Sequence, residues 1–186
     1  MSDHGPELIG GVEKRAIRVV GYDEGWPRRF VEERARLADA LGERALRIEH
    51  IGSTAVPGLC AKPVVDIDLS VNDPNDEPAY LAALVAAGYH LRVREPGHRM
   101  VRSATLDVHV HVCAAGSDWE QRHVLFRDWL RSHPADAQEY GDVKCGLAKQ
   151  DWPDMNAYAD AKTQVIEQIL SRARAGNALV PTHPSG

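Results

Sequence analysis

Apolar and polar residues alternate without a break over residues 106–113, Leu-Asp-Val-His-Val-His-Val-Cys. Successive side chains of a strand point to opposite faces. This run therefore predicts a strand with Leu106, Val108, Val110 and Val112 on one face and Asp107, His109, His111 and Cys113 on the other. Residues 45–51 alternate in the same way, and residues 63–71 form a β-branched run carrying two carboxylates, Asp66 and Asp68. Shorter alternations predict strands at 89–94 and 99–103, joined by a tight turn through Glu95-Pro96-Gly97-His98, and an extended lead-in at 15–20. Helical spacing appears first at 28–41, where Phe30, Val31, Leu37, Ala38 and Leu41 share a face. Trp26-Pro27 is expected to start that helix, with Pro at its first position, and Gly42 to stop it. A second helix is predicted at 79–87, ended by Gly88. From Asp118 the pattern turns helical throughout: residues 119–133 up to Pro134, then 135–150, then 154–175, with Asp151-Trp152-Pro153 before the last. Ser117 is the expected N-cap of the first of these, and Trp119, Phe126 and Trp129 are expected in the core. Strands early and helices late predict an α+β fold, a mixed β-sheet flanked by helices with a helical C-terminal layer. One domain is expected over residues 15–175, between disordered tails at 1–14 and 176–186.

Composition narrows this picture only a little. The chain has 186 residues, 44% of them apolar and 26% charged, which is enough for one real core. A formal charge of -5 argues against binding nucleic acid through bulk charge. No apolar run reaches transmembrane length, and the first residues lack a secretory pattern, so a cytoplasmic protein without a membrane partner is expected. Cys60, Cys113 and Cys145 have no metal-ligand spacing and read as free thiols, packed as small core residues.

Chemistry concentrates in residues 48–71. Asp66 and Asp68 stand two apart on a strand and project together. Like charges placed so close repel unless a cation lies between them. The pair is therefore a candidate site for Mg²⁺, which takes hard oxygen ligands, water and substrate phosphates. Gly52-Ser53 follows the preceding strand, and such a turn brings backbone N–H groups and a hydroxyl close to a phosphate. His50, ahead of it, is expected to orient the loop by hydrogen bonding. Lys62, Arg99, Arg102, Arg127, Lys144 and Lys162 are the cationic candidates for a polyphosphate. His109 and His111 could ligate a metal, act as bases or bond a substrate, and as ligands beside Asp66 they would favour Mn²⁺ or Zn²⁺.

Gly-Ser followed by apolar-Asp-apolar-Asp-apolar resembles the signature of the nucleotidyltransferase fold superfamily. More narrowly, the chain resembles the GrpB family. The resemblance is carried by residues 49–59, Glu-His-Ile-Gly-Ser-Thr-Ala-Val-Pro-Gly-Leu, by Ala61-Lys62-Pro63 through Asp66, by His109 and His111, by residues 122–134, and by Tyr140 with Lys144 and Tyr158 with Lys162. It implies a small mixed, nucleotidyltransferase-like sheet flanked by helices. It also implies a site in which Ser53 touches phosphate and the Asp residues bind Mg²⁺. The superfamily uses a third carboxylate on a neighbouring strand, for which Asp107 is the candidate, and the resemblance raises Arg127 and Lys144 above other surface cations.

The expected activity is Mg²⁺-dependent transfer of a nucleotidyl group from a nucleoside triphosphate to a small acceptor, a hydroxyl or a carboxylate activated by adenylation. Asp66, Asp68 and Asp107 would hold the metal, with His109 and His111 beside them. Gly52, Ser53, Lys62, Arg127 and Lys144 would bind the nucleotide. Two alternatives stand beside it: a non-catalytic nucleotide-binding or chaperone-like helper, and a metal-dependent hydrolase built on the His-x-His strand. The chain has no Gly-x-x-x-x-Gly-Lys-Ser/Thr loop and so no kinase motif of that type.

Overall fold

Two segments far apart in sequence lie side by side at the centre of the molecule. Strand β3 (Val65–Val71) and strand β6 (Val108–Ala114) pair in parallel, with Asp66 opposite His109 and Asp68 opposite His111. The computed structural model describes residues 6–14 and 16–178. Four more strands extend this pair, β1 (Glu7–Leu8), β2 (Arg47–Ile51), β4 (Tyr89–Glu95) and β5 (His98–Ser103). They form a six-stranded mixed sheet in the order β1-β4-β5-β6-β3-β2. Every pair other than β3–β6 is antiparallel.

Period-two alternation gives this sheet two chemically different faces. Ile67, Leu69, Val101, Val108, Val110 and Val112 are wholly buried on one. They pack with Trp26, Leu37 and Leu41 of helix α1 (Gly25–Leu41) and Leu84 of helix α2 (Leu81–Ala86) in the larger core. Glu33 is buried in α1, where it accepts a hydrogen bond from the Tyr89 hydroxyl and pairs with Arg29 at 3.2 Å.

The other face carries Asp66, Asp68, Ser70, His109 and His111 toward the helical layer. That layer comprises α3 (Asp118–Ser132), α4 (Pro134–Leu147), α5 (Met155–Asp160) and α6 (Thr163–Ala178). Ser70 donates to Glu120 of α3 at 2.5 Å, which fixes the layer against the sheet. A second core of Val56, Leu59, Leu130, Tyr140, Val165 and Ile169 joins the helices to the loop after β2.

The α+β architecture and its C-terminal helical layer follow the sequence pattern, and four details differ. Residues 7 and 8 lie in the segment expected to be disordered, yet they form edge strand β1, beside which Arg92 donates to the carbonyls of Ile9 and Gly11. Helix α1 begins at Gly25, two residues before Pro27, and among the described residues of the expected lead-in only Val20 pairs, in an isolated bridge with Ala61. The last helix is two, with Ala161 and Lys162 in the break, and α6 runs on to Ala178; the rest of the expected C-terminal tail lies outside the described residues. Strand β6 starts at Val108, because Leu106 takes a left-handed φ of 64° and turns the chain ahead of it.

Candidate functional site

The site is assembled at the C-terminal end of β2, on the polar face of β3 and β6, and under α3, α4 and the α5–α6 break. Gly52 leaves β2 with a φ of 69°, and a Cβ there would stand 2.9 Å from Asp66 Oδ2. Only glycine meets both conditions without strain. Ahead of it, on β2, His50 holds the loop as expected: its Nε2 lies 3.0 Å from Thr54 Oγ1, and its ring stacks on Phe30. Burial pulls His50 down to about 4, so it is neutral near pH 7.

Asp66 is the accessible acid, with 31% of its side chain exposed. Its Oδ1 lies 3.4 Å from His109 Nδ1 and 3.7 Å from His111 Nε2. Burial opposes ionisation, but hydrogen bonds and charge from the two histidines more than offset it and hold the carboxyl well below the usual carboxylate range. His111 belongs to a longer chain. Its Nδ1 is 3.1 Å from His98 Nε2, and His98 Nδ1 is 2.5 Å from Glu95 Oε1. Burial, reinforced by His111 and His123, drives His98 down to about 3 and keeps it neutral. A neutral His98 donating to the Glu95 carboxylate accepts from His111 Nδ1–H. This turns His111 Nε2 toward Asp66, 3.7 Å from its Oδ1.

Three ammonium groups gather where the loop after β2 meets α4 and the α5–α6 break, and two of them, Lys62 and Lys162, are near enough to Asp66 to feel its charge. Lys144 Nζ donates to Ser53 Oγ at 2.7 Å and to the Cys60 carbonyl at 2.5 Å. Lys62 and Lys162 each hold Nζ over the Tyr158 ring, at 4.4 and 4.7 Å from its centroid. Burial, together with Lys162 nearby, lowers Lys62 and Lys144 to about 8, and burial lowers Lys162 as well. None of the three forms an ion pair within 4 Å with a carboxylate among the described residues. A cavity of about 370 Å³ opens beside this group, and of the three lysines Lys162 lines it. Gly52, Asp66, His111, Arg122, His123, Tyr140 and Lys162 are among its polar lining, Arg122 being paired with Glu167, and Ile51, Phe126, Ile166 and Leu170 form its apolar wall.

Three expected site residues are placed otherwise. Asp68 shares the face of Asp66 but is fully buried, closed off by His123 Nδ1 at 2.9 Å from its Oδ2. Asp107 is turned out of the site by the Leu106 bend. It accepts from Ser103 at 2.9 Å and from Thr105, and faces Arg29 of α1 at 3.4 Å. Arg127 is buried and occupied: its Nη1 donates to Glu49 Oε2 at 2.6 Å and to the His50 carbonyl at 2.9 Å, and its Nε to Asp128. Arg99 and Arg102 are bound to Glu77 and Glu13, away from the cavity.

An Mg²⁺ cage of Asp66, Asp68 and Asp107 therefore does not fit these side chains. No group of three or more His, Cys, Asp or Glu among the described residues is arranged to hold a metal. The sequence reading also missed His123, His98 and Trp119, which stacks on His98 at 3.9 Å rather than entering a core. Trp119, His123 and Phe126 fall on one face of α3 at helical spacing, the one signal that could have marked that face as a cavity wall.

The comparisons with known proteins bear on family and fold. A family model described as "GrpB protein" matches residues 16–172, nearly all of the described chain. The chain belongs to the GrpB family. A UPF0157 protein of Streptomyces coelicolor is 52% identical over 91% of the chain and 90% of that protein. The crystal structure of conserved protein GrpB from Enterococcus faecalis superposes with a TM-score of 0.77 at 31% identity, covering 87% of this chain and 99% of that one. A dephospho-CoA kinase of Mycolicibacterium paratuberculosis is 28% identical over 87% of the chain and 47% of its own length. The GrpB match spans the Gly52 turn, Asp66, His111 and all three lysines. Among the described residues, no helix is long and apolar enough to cross a membrane.

Proposed function

We propose that this GrpB protein binds the phosphate tail of a nucleoside triphosphate in the lysine cradle and transfers the nucleotidyl group to a small acceptor. The observation that carries the reading is the gathering of Lys144 on Ser53 and of Lys62 and Lys162 over Tyr158, all three desolvated and none in an ion pair within 4 Å among the described residues. Burying cations is costly unless a counter-charge arrives, and a polyphosphate supplies it. The strand bearing Asp66 beside the Gly-Ser turn also supports a nucleotidyltransferase-like fold.

In this reading His111 Nε2 takes the proton of the acceptor hydroxyl. Asp66 stabilises the imidazolium that results, and the Glu95–His98 chain fixes the ring. The acceptor oxygen bonds to the α-phosphorus as the bond to the bridging oxygen breaks. Pyrophosphate leaves with its charge met by the three lysines.

The test is transfer of label from an α-labelled triphosphate to a pool of small hydroxyl and carboxyl acceptors, with Mg²⁺ in the buffer. His111→Asn is expected to bind triphosphate normally and to lose transfer by about 100-fold or more. Transfer at the unmodified rate in both His111→Asn and Lys144→Met would refute the assignment. A second reading, a nucleotide-binding helper without catalysis, is favoured by the match to less than half of a protein named as a dephospho-CoA kinase. Binding without transfer to any acceptor would select it.

A further inference from the structure

Cys60 and Cys145 come from distant parts of the chain, 85 residues apart, and their sulfurs lie 3.2 Å from each other. Cys60 is in the loop that follows the Ser53 turn, and Cys145 is in the last turn of α4. Gly141, one helical turn before Cys145, makes the approach possible: a Cβ there would stand 3.3 Å from Leu59 and 3.4 Å from the Cys60 sulfur. Both thiols are free and partly exposed, whereas Cys113 is buried in β6. They lie on the wall of a second cavity, about 460 Å³, also lined by Pro57, Leu130 and Pro134, through which a small oxidant can reach them.

We propose that Cys60 and Cys145 are a redox-modification site, closed to an intramolecular disulfide by a hydroperoxide or a small-molecule disulfide. With a hydroperoxide, one thiolate attacks the peroxide oxygen, becomes a sulfenic acid and releases alcohol or water. The second thiol attacks the sulfenic sulfur, the S–S bond forms, and water leaves. Two thiols lose two hydrogens and two electrons, and the peroxide takes them up. The sulfurs need to close only from 3.2 Å to about 2.05 Å. Burial raises the Cys60 thiol, more than the neighbouring Lys144 ammonium lowers it, so the resting state is the dithiol. The bond would staple the loop bearing Ser53 and the Cys60 carbonyl to α4, directly beside Lys144, which contacts both.

The test uses the full chain without ligand, so its outcome is separate from that of the phosphate reading. Reduced protein is exposed to hydrogen peroxide or oxidised glutathione, remaining thiols are alkylated, and the mass is read. The expected product has lost two hydrogens and keeps one alkylatable thiol. Its peptides containing residues 60 and 145 are joined, and dithiothreitol reverses the change. Amide exchange of residues 53–61 is expected to slow in the oxidised form. A disulfide between chains, a bridge to Cys113, sulfinic acid without a bridge, or unchanged exchange after bridging overturns the proposal. Cys145→Ser is expected to abolish the joined peptides; their persistence would overturn it too.

Discussion

Replacing Lys144 by Met should remove a pH dependence from the stability of the folded chain. Lys144 is 3% exposed, and burial pulls its ammonium from 10.5 to about 8. Below about 8 the side chain is charged in both folded and unfolded states. Between about 8 and 10.5 the unfolded chain keeps the proton that the folded chain has lost. There the unfolded state binds more protons, so stability rises with pH through that window and levels off above it. The whole window corresponds to about 3 kcal/mol, of which about 2 kcal/mol is gained between about pH 7 and about pH 9.5. Urea denaturation of the wild type and Lys144→Met at those two pH values measures the difference. Lys62 and the buried tyrosines titrate in both proteins and cancel in the comparison. Absolute stability at pH 7 is less informative, because Met ends the burial of a charge but leaves Ser53 and the Cys60 carbonyl without their donor. The wild type should gain about 2 kcal/mol more than the variant on going to high pH. Parallel gains in both proteins would show that Lys144 is not a desolvated ammonium and would remove the main support for the cradle.

Gly52→Ala should cost about 2–4 kcal/mol in urea denaturation, from the left-handed backbone and the displaced Asp66 carboxylate, and should abolish triphosphate binding. Arg127→Ala should lose about 3 kcal/mol of stability by freeing Glu49 and the His50 carbonyl, yet leave the triphosphate Kd of the folded fraction unchanged within about twofold; a selective loss of binding would return Arg127 to the site. Asp68→Asn should lower stability by about 2 kcal/mol, since a neutral amide replaces the carboxylate facing His123, and Mg²⁺ affinity should not change; a large loss of Mg²⁺ affinity would reinstate the paired-acid metal site.

The face assignments were legible because they depend only on the period of two. Val108, Val110 and Val112 face one layer and His109 and His111 the other, and Asp66 and Asp68 do share a side. What the neighbours do to those residues was not legible. Asp68 is sealed by His123, which arrives from a helix more than fifty residues away. Asp107 leaves the strand because Leu106, a residue with no turn preference, adopts a positive φ. The break before α6 carries Ala161 and Lys162, neither of which signals a stop, so the pattern reads as one helix. Lys62, Lys144 and Lys162 have no spacing in common. Only the packing of the loop, α4 and the α5–α6 break brings them together, and no periodicity encodes that.

The cradle is tested most directly by the protons that accompany triphosphate binding. At about pH 8.5 Lys62 and Lys144 are largely uncharged in the free protein, while the triphosphate is fully ionised; the arriving negative charge should recharge both. Calorimetric titration in two buffers of different ionisation enthalpy reads the number directly. On the order of one to two protons taken up per triphosphate bound is expected, falling by about one in Lys144→Met. Binding with no proton uptake, or no binding at all, would contradict the account.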